Sequence, residues 1–171
     1  MSFGFEKEQD SVYEAIKLAN TKGIAMFAAA SNAGANREDN VAWPASAPEV
    51  ICVHSASGRG TKSSFTPEPD DGKRVMVLGE CVQSVGKYMS GTSCAAPIAA
   101  GIAAIVLDYA RRVLGQDEWL KLRTTHHMKN MFKIMKNQEK DGYWWIRPWV
   151  LFGKDKKAEW IEEEIRRALK P

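Results

Sequence analysis

The sequence predicts an α/β fold, a three-layer arrangement in which a parallel sheet carries helices on both faces. Three observations lead there. Helical and short apolar strand segments alternate along the first 114 residues, the order that builds a parallel sheet through helical crossovers. Residues 24–30 form an unbroken apolar run bounded by turn residues, as a strand buried on both faces requires. Residues 98–107 are apolar on every side, which predicts a helix buried all round at the centre of a domain.

In chain order, the first helix opens at Ser11-Val12-Tyr13-Glu14, a capping box, and turns Val12, Ala15, Ile16 and Ala19 to one face. Gly23 stops it ahead of the strand over 24–30. Residues 50–53 and 75–78 read as further short strands, and the Pro-rich, acidic stretch 66–72 as a surface loop. Gly91 makes a tight turn into the central helix, with Pro97 in a first turn where its missing N–H costs nothing. Beyond Gly115, Trp119, Leu120, Leu122, Met128, Met131, Phe132 and Met135 have helical spacing over 117–135, and 141–149 is a turn leading into an aromatic strand. Trp160, Ile161, Ile165 and Leu169 mark a last amphipathic helix over 158–169. The clustered tryptophans read as packing against the body of the domain rather than as a partner surface.

With 171 residues, 44% of them hydrophobic, the chain has enough apolar material for one core. A net charge of +3 is too small to argue for nucleic acid or a membrane surface as partner. The charge is uneven, with 11 basic and 12 acidic residues up to 114 against 13 and 9 beyond, a difference that a solvated helical face accounts for. Cys52, Cys81 and Cys94 have no metal-ligand spacing and their odd number argues against a disulfide framework, so neither metal nor cofactor is expected. Cys94 reads as a small apolar residue of the helix start. No Asn-x-Ser/Thr sequon and no signal-peptide succession occur, which leans toward an intracellular setting. The longest apolar stretch, 94–107, falls short of the ~18 residues a spanning helix needs. Gly58-Arg59-Gly60-Thr61-Lys62-Ser63 looks like a phosphate loop, but it lacks the glycine before Lys62 and no helical pattern follows.

Chemistry concentrates at Ser93, where a glycine turn meets a helix start. There the unpaired N–H groups and the partial positive charge of the helix end face any oxyanion forming beside the hydroxyl. Taken alone, a Gly-Thr-Ser before a helix is a cap far more often than a nucleophile, so Ser93 by itself reads as a helix N-cap. Asn32 closes the apolar run 24–30 and so lies at the C-terminal end of a predicted parallel strand, where ligand sites of such sheets gather. Its carboxamide suits an oxyanion donor, and by itself it also suits a turn.

Three segments in this order, Met1-Ser2-Phe3-Gly4, Ala29-Ala30-Ser31-Asn32 and Gly91-Thr92-Ser93-Cys94-Ala95-Ala96-Pro97, resemble the subtilisin-like serine proteases, the subtilases. Trp43-Pro44-Ala45, Val50-Ile51-Cys52-Val53 and Ser64-Phe65 resemble the stations between the family's oxyanion and nucleophile blocks. The resemblance implies a serine endopeptidase acting on peptide or protein substrates, with Ser93 as nucleophile and Asn32 as oxyanion donor. It also implies that Ser2, Phe3 and Gly4 pair with substrate backbone, and that Ala29, Ala30 and Ser31 line the substrate site. Ser31 stands where the family has glycine, narrowing the wall of the first specificity pocket, and Leu78-Gly79-Glu80 stands where Ala-Pro-Gly is usual.

The family's Asp and His precede its substrate-binding strand, and this sequence begins at that strand. His54, His126 and His127 match no catalytic block and read as structural or solvent-facing. The resemblance therefore implies the C-terminal part of a catalytic domain over 1–152, well matched over 1–114 and more weakly over 115–152, with 153–171 an added amphipathic helix. A subtilisin-like but incomplete fold, inactive alone and partnered by the missing N-terminal half, is the expectation. The alternative is a non-catalytic, degenerate module that binds peptide or regulates a larger protein.

Overall fold

A computed structural model describes residues 1–34, 41–70 and 72–170. The elements are α1 (Asp10–Thr21), β1 (Met26–Ala29), β2 (Val50–Ala56), β3 (Val75–Leu78), β4 (Val82–Ser84), β5 (Lys87–Met89), α2 (Thr92–Val113), α3 (Gln116–Leu122), α4 (Thr125–Ile134), β6 (Lys136–Lys140), β7 (Tyr143–Ile146), α5 (Pro148–Phe152) and α6 (Ala158–Ala168). Five strands form one sheet in the order β1-β2-β3-β7-β6, and β4 and β5 form a separate hairpin.

The sheet is parallel from β1 to β7, and β6 joins it antiparallel at one edge. Strand alternation sends side chains to two faces. Phe27, Ala29, Ile51, Val53, Val75 and Val77 pack on one side with α2, α4 and α6. Ala28, Ala30, Val50 and Cys52 pack on the other with Ile16 of α1 and the segment around Trp43. Helices therefore cover both faces, and the expected three layers are present. The edge hairpin makes the sheet mixed rather than wholly parallel.

Several local expectations change. The first helix starts one residue before the proposed capping box, with Gln9 as an N-cap whose side chain makes no capping bond, and only Ile16 of its apolar face is fully buried. Asp10 in the first turn suits the positive helix end instead. Strand β1 is shorter than the run 24–30 because the Ile24 N–H closes the helix on Ala19 O, leaving Ile24 45% exposed. The single helical span over 117–135 is two helices, broken at Arg123-Thr124, where the Thr124 hydroxyl caps α4. Within the 66–72 loop Thr66 and Pro67 are buried, while Asp71 lies outside the described residues.

Helix α2 is not buried all round. Ala95, Ala99, Ala103 and Ala110 face the core, whereas Ala100, Gly101, Ala104 and Ile105, the last 59% exposed, line an open face. Its small inward residues let it approach β1, β2 and β3 closely. By length and composition its 22 residues are enough to cross a membrane, beyond what the run 94–107 suggests; here it packs as a core helix. Helix α6 also belongs to the main core, through Ile161 and Ile165, and Arg166 ties it to α3 by pairing with Glu118.

Candidate active site

Helix α2 begins at Thr92, so Ser93 occupies its second position rather than the N-cap, which is Gly91. Glycine has no side chain with which to cap the helix. The cap comes from 60 residues upstream: Asn32 Oδ1 accepts from the Thr92 N–H at 2.8 Å and from the Thr92 hydroxyl at 2.9 Å. An N–H can only donate, so this pairing fixes which end of the carboxamide faces Thr92 and leaves the Nδ2 end free to donate. Among the described residues neither Asn32 Nδ2 nor the Ser93 N–H has an acceptor within the fold. Two free donors thus lie around Gly91, Asn32 Nδ2 at 3.2 Å and Ser93 N at 3.7 Å from where its Cβ would stand, at the positive end of a 22-residue helix.

Gly91 allows this closeness. Its φ is +157°, and a Cβ on it would lie 3.2 Å from Asn32 Nδ2. The turn is anchored from below by the Gly91 N–H donating to Gly79 O at 2.8 Å. A Cβ on Gly79 would press on Ser55 Oγ at 2.4 Å, so the packing beneath the turn demands a glycine at this departure from the family pattern.

The N-terminal segment comes to the same place. Met1 N donates to Phe27 O at 2.5 Å and Met1 O accepts from Ala29 N at 3.0 Å. Residue 1 thereby pairs in parallel with Ala28 on the outer side of β1. Ser2 and Ser93 then exchange hydrogen bonds, Ser2 Oγ donating to Ser93 O at 3.0 Å and Ser93 Oγ to Ser2 O at 3.3 Å. Phe5 pairs antiparallel with Trp43, and among the described residues Phe3 and Gly4 make no backbone hydrogen bond and are exposed. An extended peptide can reach that free stretch of backbone.

The structure therefore brings Ser93, Asn32 and Ser2 together, with Phe3 and Gly4 alongside. Ala29 and Ala30 are buried in the sheet, and Ala30 has both backbone groups engaged, its N–H to Val53 O and its C=O from the Ala42 N–H. Ser31 is half-buried, its Oγ accepting from the Ala33 N–H at 3.1 Å. Thr92, buried beneath the site, is the functional neighbour that motif reading passes over. Nothing in its local spacing shows a partner 60 residues away.

No imidazole stands on Ser93. His54 is fully buried on β2, hydrogen-bonded through Nε2 to Lys73 O at 2.9 Å and edge-on to Tyr143 at 5.0 Å. Burial pulls its pKa down to about 4, so it is a neutral packing group at pH 7. His126 stacks edge-on with His127, whose Nδ1 meets Ala168 O at 3.2 Å on the far helix pair. Cys52, Cys81 and Cys94 are all free, and burial pushes the Cys52 thiol up to about 12, which leaves it inert. Among the described residues no group of His, Cys, Asp and Glu could hold a metal.

A mainly parallel sheet between helices, with a serine at a helix N-terminus capped by an anchored carboxamide, defines a class of protein that comparison makes specific. The subtilase family model matches residues 1–139. The chain is 30% identical over 116 residues to subtilisin DY of Bacillus licheniformis, covering 63% of this chain and 41% of that protein. It is 27% identical over 135 residues to M-protease of Shouchella clausii, covering 76% and 33%. Among solved structures, that of the prenylagaramide maturation protease PagA superposes with a TM-score of 0.71 at 19% identity, covering 96% of this chain and 60% of that one. That of the patellamide maturation protease PatA gives 0.69 at 18%, covering 98% and 62%. This chain belongs to the subtilase family. It spans less than half the length of the two sequence relatives.

Proposed function

We propose that this chain carries the nucleophile and oxyanion half of a serine endopeptidase, completed by residues outside the 171 that supply the Asp and His. The observation that carries the reading is the Asn32–Thr92 pairing, which holds the carboxamide on the start of α2 by its Oδ1 and leaves Nδ2 free to donate, one residue from Ser93. Ser93 Oγ would add to the peptide carbonyl carbon, its proton passing to the imidazole and from there to the leaving amine. Water would then release the acyl group from Ser93. Asn32 Nδ2 and the Ser93 N–H would hold the carbonyl oxygen as its charge develops. Substrate backbone would lie along Ser2, Phe3 and Gly4 as an added strand.

Two surfaces support a completing segment. The parallel pairing of Met1 with Ala28 continues the sheet outward past β1, and the open face of α2 is apolar where Ala100, Ala104 and Ile105 lie. Without the base, a serine hydroxyl is a poor nucleophile at neutral pH, and in subtilisin the oxyanion hole and binding alone leave only roughly 10³ to 10⁴ over water. A non-catalytic peptide-binding module is the second reading, favoured by the Ser2–Ser93 exchange that occupies the hydroxyl. Peptide hydrolysis assays separate them. The 171-residue chain alone is expected to show no Ser93-dependent turnover, and a longer version bearing an Asp block and a His block is expected to show it. Turnover by the isolated chain above a Ser93→Ala control would overturn the half-site reading, and an inert longer version would establish the module.

A further inference from the structure

Away from Ser93, one side of α4, the end of α6 and the start of β6 border an open cavity of about 500 Å³. Lys133, Lys136, Arg167, Lys170 and His126 wall it, together with the Asn130 amide, and no carboxylate lines it among the described residues. Helix C-termini attract cations, so charge compensation is the simpler account of such a cluster. It does not suffice here. The carbonyl at the end of α6, Ala168 O, is already met by His127 Nδ1 at 3.2 Å and by Asn130 Nδ2 at 3.3 Å. Arg167 and Lys136 have ion pairs with Glu164 and Glu139, neither of which lines the cavity. Lys133 and Lys170 have no ion pair among the described residues, and both are exposed.

We infer that this cavity is a binding site for a compact multivalent oxyanion of the polyphosphate class. Four permanent cations around one hollow repel one another, and a ligand with three or more negative charges removes that repulsion. The volume lies within the range of about 300 to 1,000 Å³ typical of small-molecule sites. Lysine ammoniums act as point charges on phosphate oxygens and Arg167 adds a fork of donors. Among the described residues Ile134 is the one large apolar side chain in the wall and no Phe, Tyr or Trp lines it, so recognition falls on the phosphate chain and not on a base or other ring. The site shares no residue with the Ser93 cluster and does not depend on the protease reading.

Titration calorimetry of the full chain with sodium tripolyphosphate at low ionic strength tests this. Saturable one-to-one binding is expected, weakened about tenfold or more in a Lys133→Gln/Lys170→Gln double variant, as expected for the loss of two charge-assisted contacts. The Arg111→Gln/Arg112→Gln variant removes the same charge from α2 and should bind within about twofold of wild type. A second readout is tryptophan emission, because the Lys133 and Lys136 ammoniums lie 6.0 and 5.7 Å from the Trp144 ring. The ligand should change that emission, and Trp144→Phe should abolish the change. A nucleoside triphosphate binding as tightly as tripolyphosphate, or more weakly, supports recognition of the phosphate chain alone, and one binding tenfold more tightly would overturn it, because the nucleoside would then be recognised. Absence of saturable binding, or equal weakening in both double variants, would overturn the assignment.

Discussion

Asn32 caps α2 with one end of its side chain and is proposed to donate to the oxyanion with the other, and the substitution Asn32→Asp separates the two. Its Oδ1 caps α2 by accepting from the Thr92 N–H and hydroxyl at 2.8 and 2.9 Å. Its Nδ2 is the proposed oxyanion donor. Asn32→Ala removes both: it leaves the buried Thr92 N–H without an acceptor, a loss of about 1 to 3 kcal/mol in folding free energy. Aspartate keeps an acceptor on Thr92 and adds a negative charge at the positive helix end, worth up to roughly 1 kcal/mol, so its stability should equal or exceed that of wild type. It cannot donate and it repels an oxyanion. In a longer version that turns over peptide, Asn32→Asp should therefore lower kcat by ~10² to 10³ or more, the range known for loss of such a donor in subtilisin, with little change in KM. Urea midpoints and steady-state kinetics on the three proteins measure both effects. Asn32→Asp as unstable as Asn32→Ala would refute the cap, and Asn32→Asp with wild-type kcat would refute the donor.

His54 sets a pH dependence of stability. Its pKa in the fold is about 4 against an ordinary 6.5, because burial disfavours the charged ring. Between those values the unfolded chain takes up a proton that the folded chain refuses, so stability should fall as pH drops from 6.5 to 4, by roughly 3 kcal/mol from this group. His54→Gln should flatten that part of the profile in urea titrations, and an unchanged slope would contradict the assignment. At Gly60, with φ at +75°, an added Cβ would lie 2.1 Å from the Trp145 ring, itself stacked under Arg147 at 3.8 Å. Gly60→Ala should cost about 2 to 4 kcal/mol through the clash and the left-handed backbone, and a urea midpoint within 1 kcal/mol of wild type would show that the ring simply moves aside.

Much of this was legible in the chain because the signals are local. The apolar run 75–78 predicts strand β3 at its observed limits, because such a run between turn residues has few other ways to satisfy its backbone. The spacing of Trp160, Ile161 and Ile165 follows the helical period and predicts the final helix to within a residue of its observed end. The Gly-Thr-Ser block and the Asn-terminated strand marked the candidate site because the chemistry demands those residue types at element ends. Other features depended on contacts between distant segments. The exposed β4–β5 hairpin has no apolar alternation to announce it, and its residues 85 and 86 turn at positive φ. The open face of α2 could not be distinguished from its buried face, because alanine and glycine occupy both and only what packs against them tells the two apart. The orientation of the Asn32 amide and the cap it makes on Thr92 arise where two strands and a helix end converge, 60 residues apart in the chain. A hydrogen-bond partner at that separation leaves no periodic trace in sequence; residue type sets what Asn32 can donate and accept, and the tertiary fold sets where each end points.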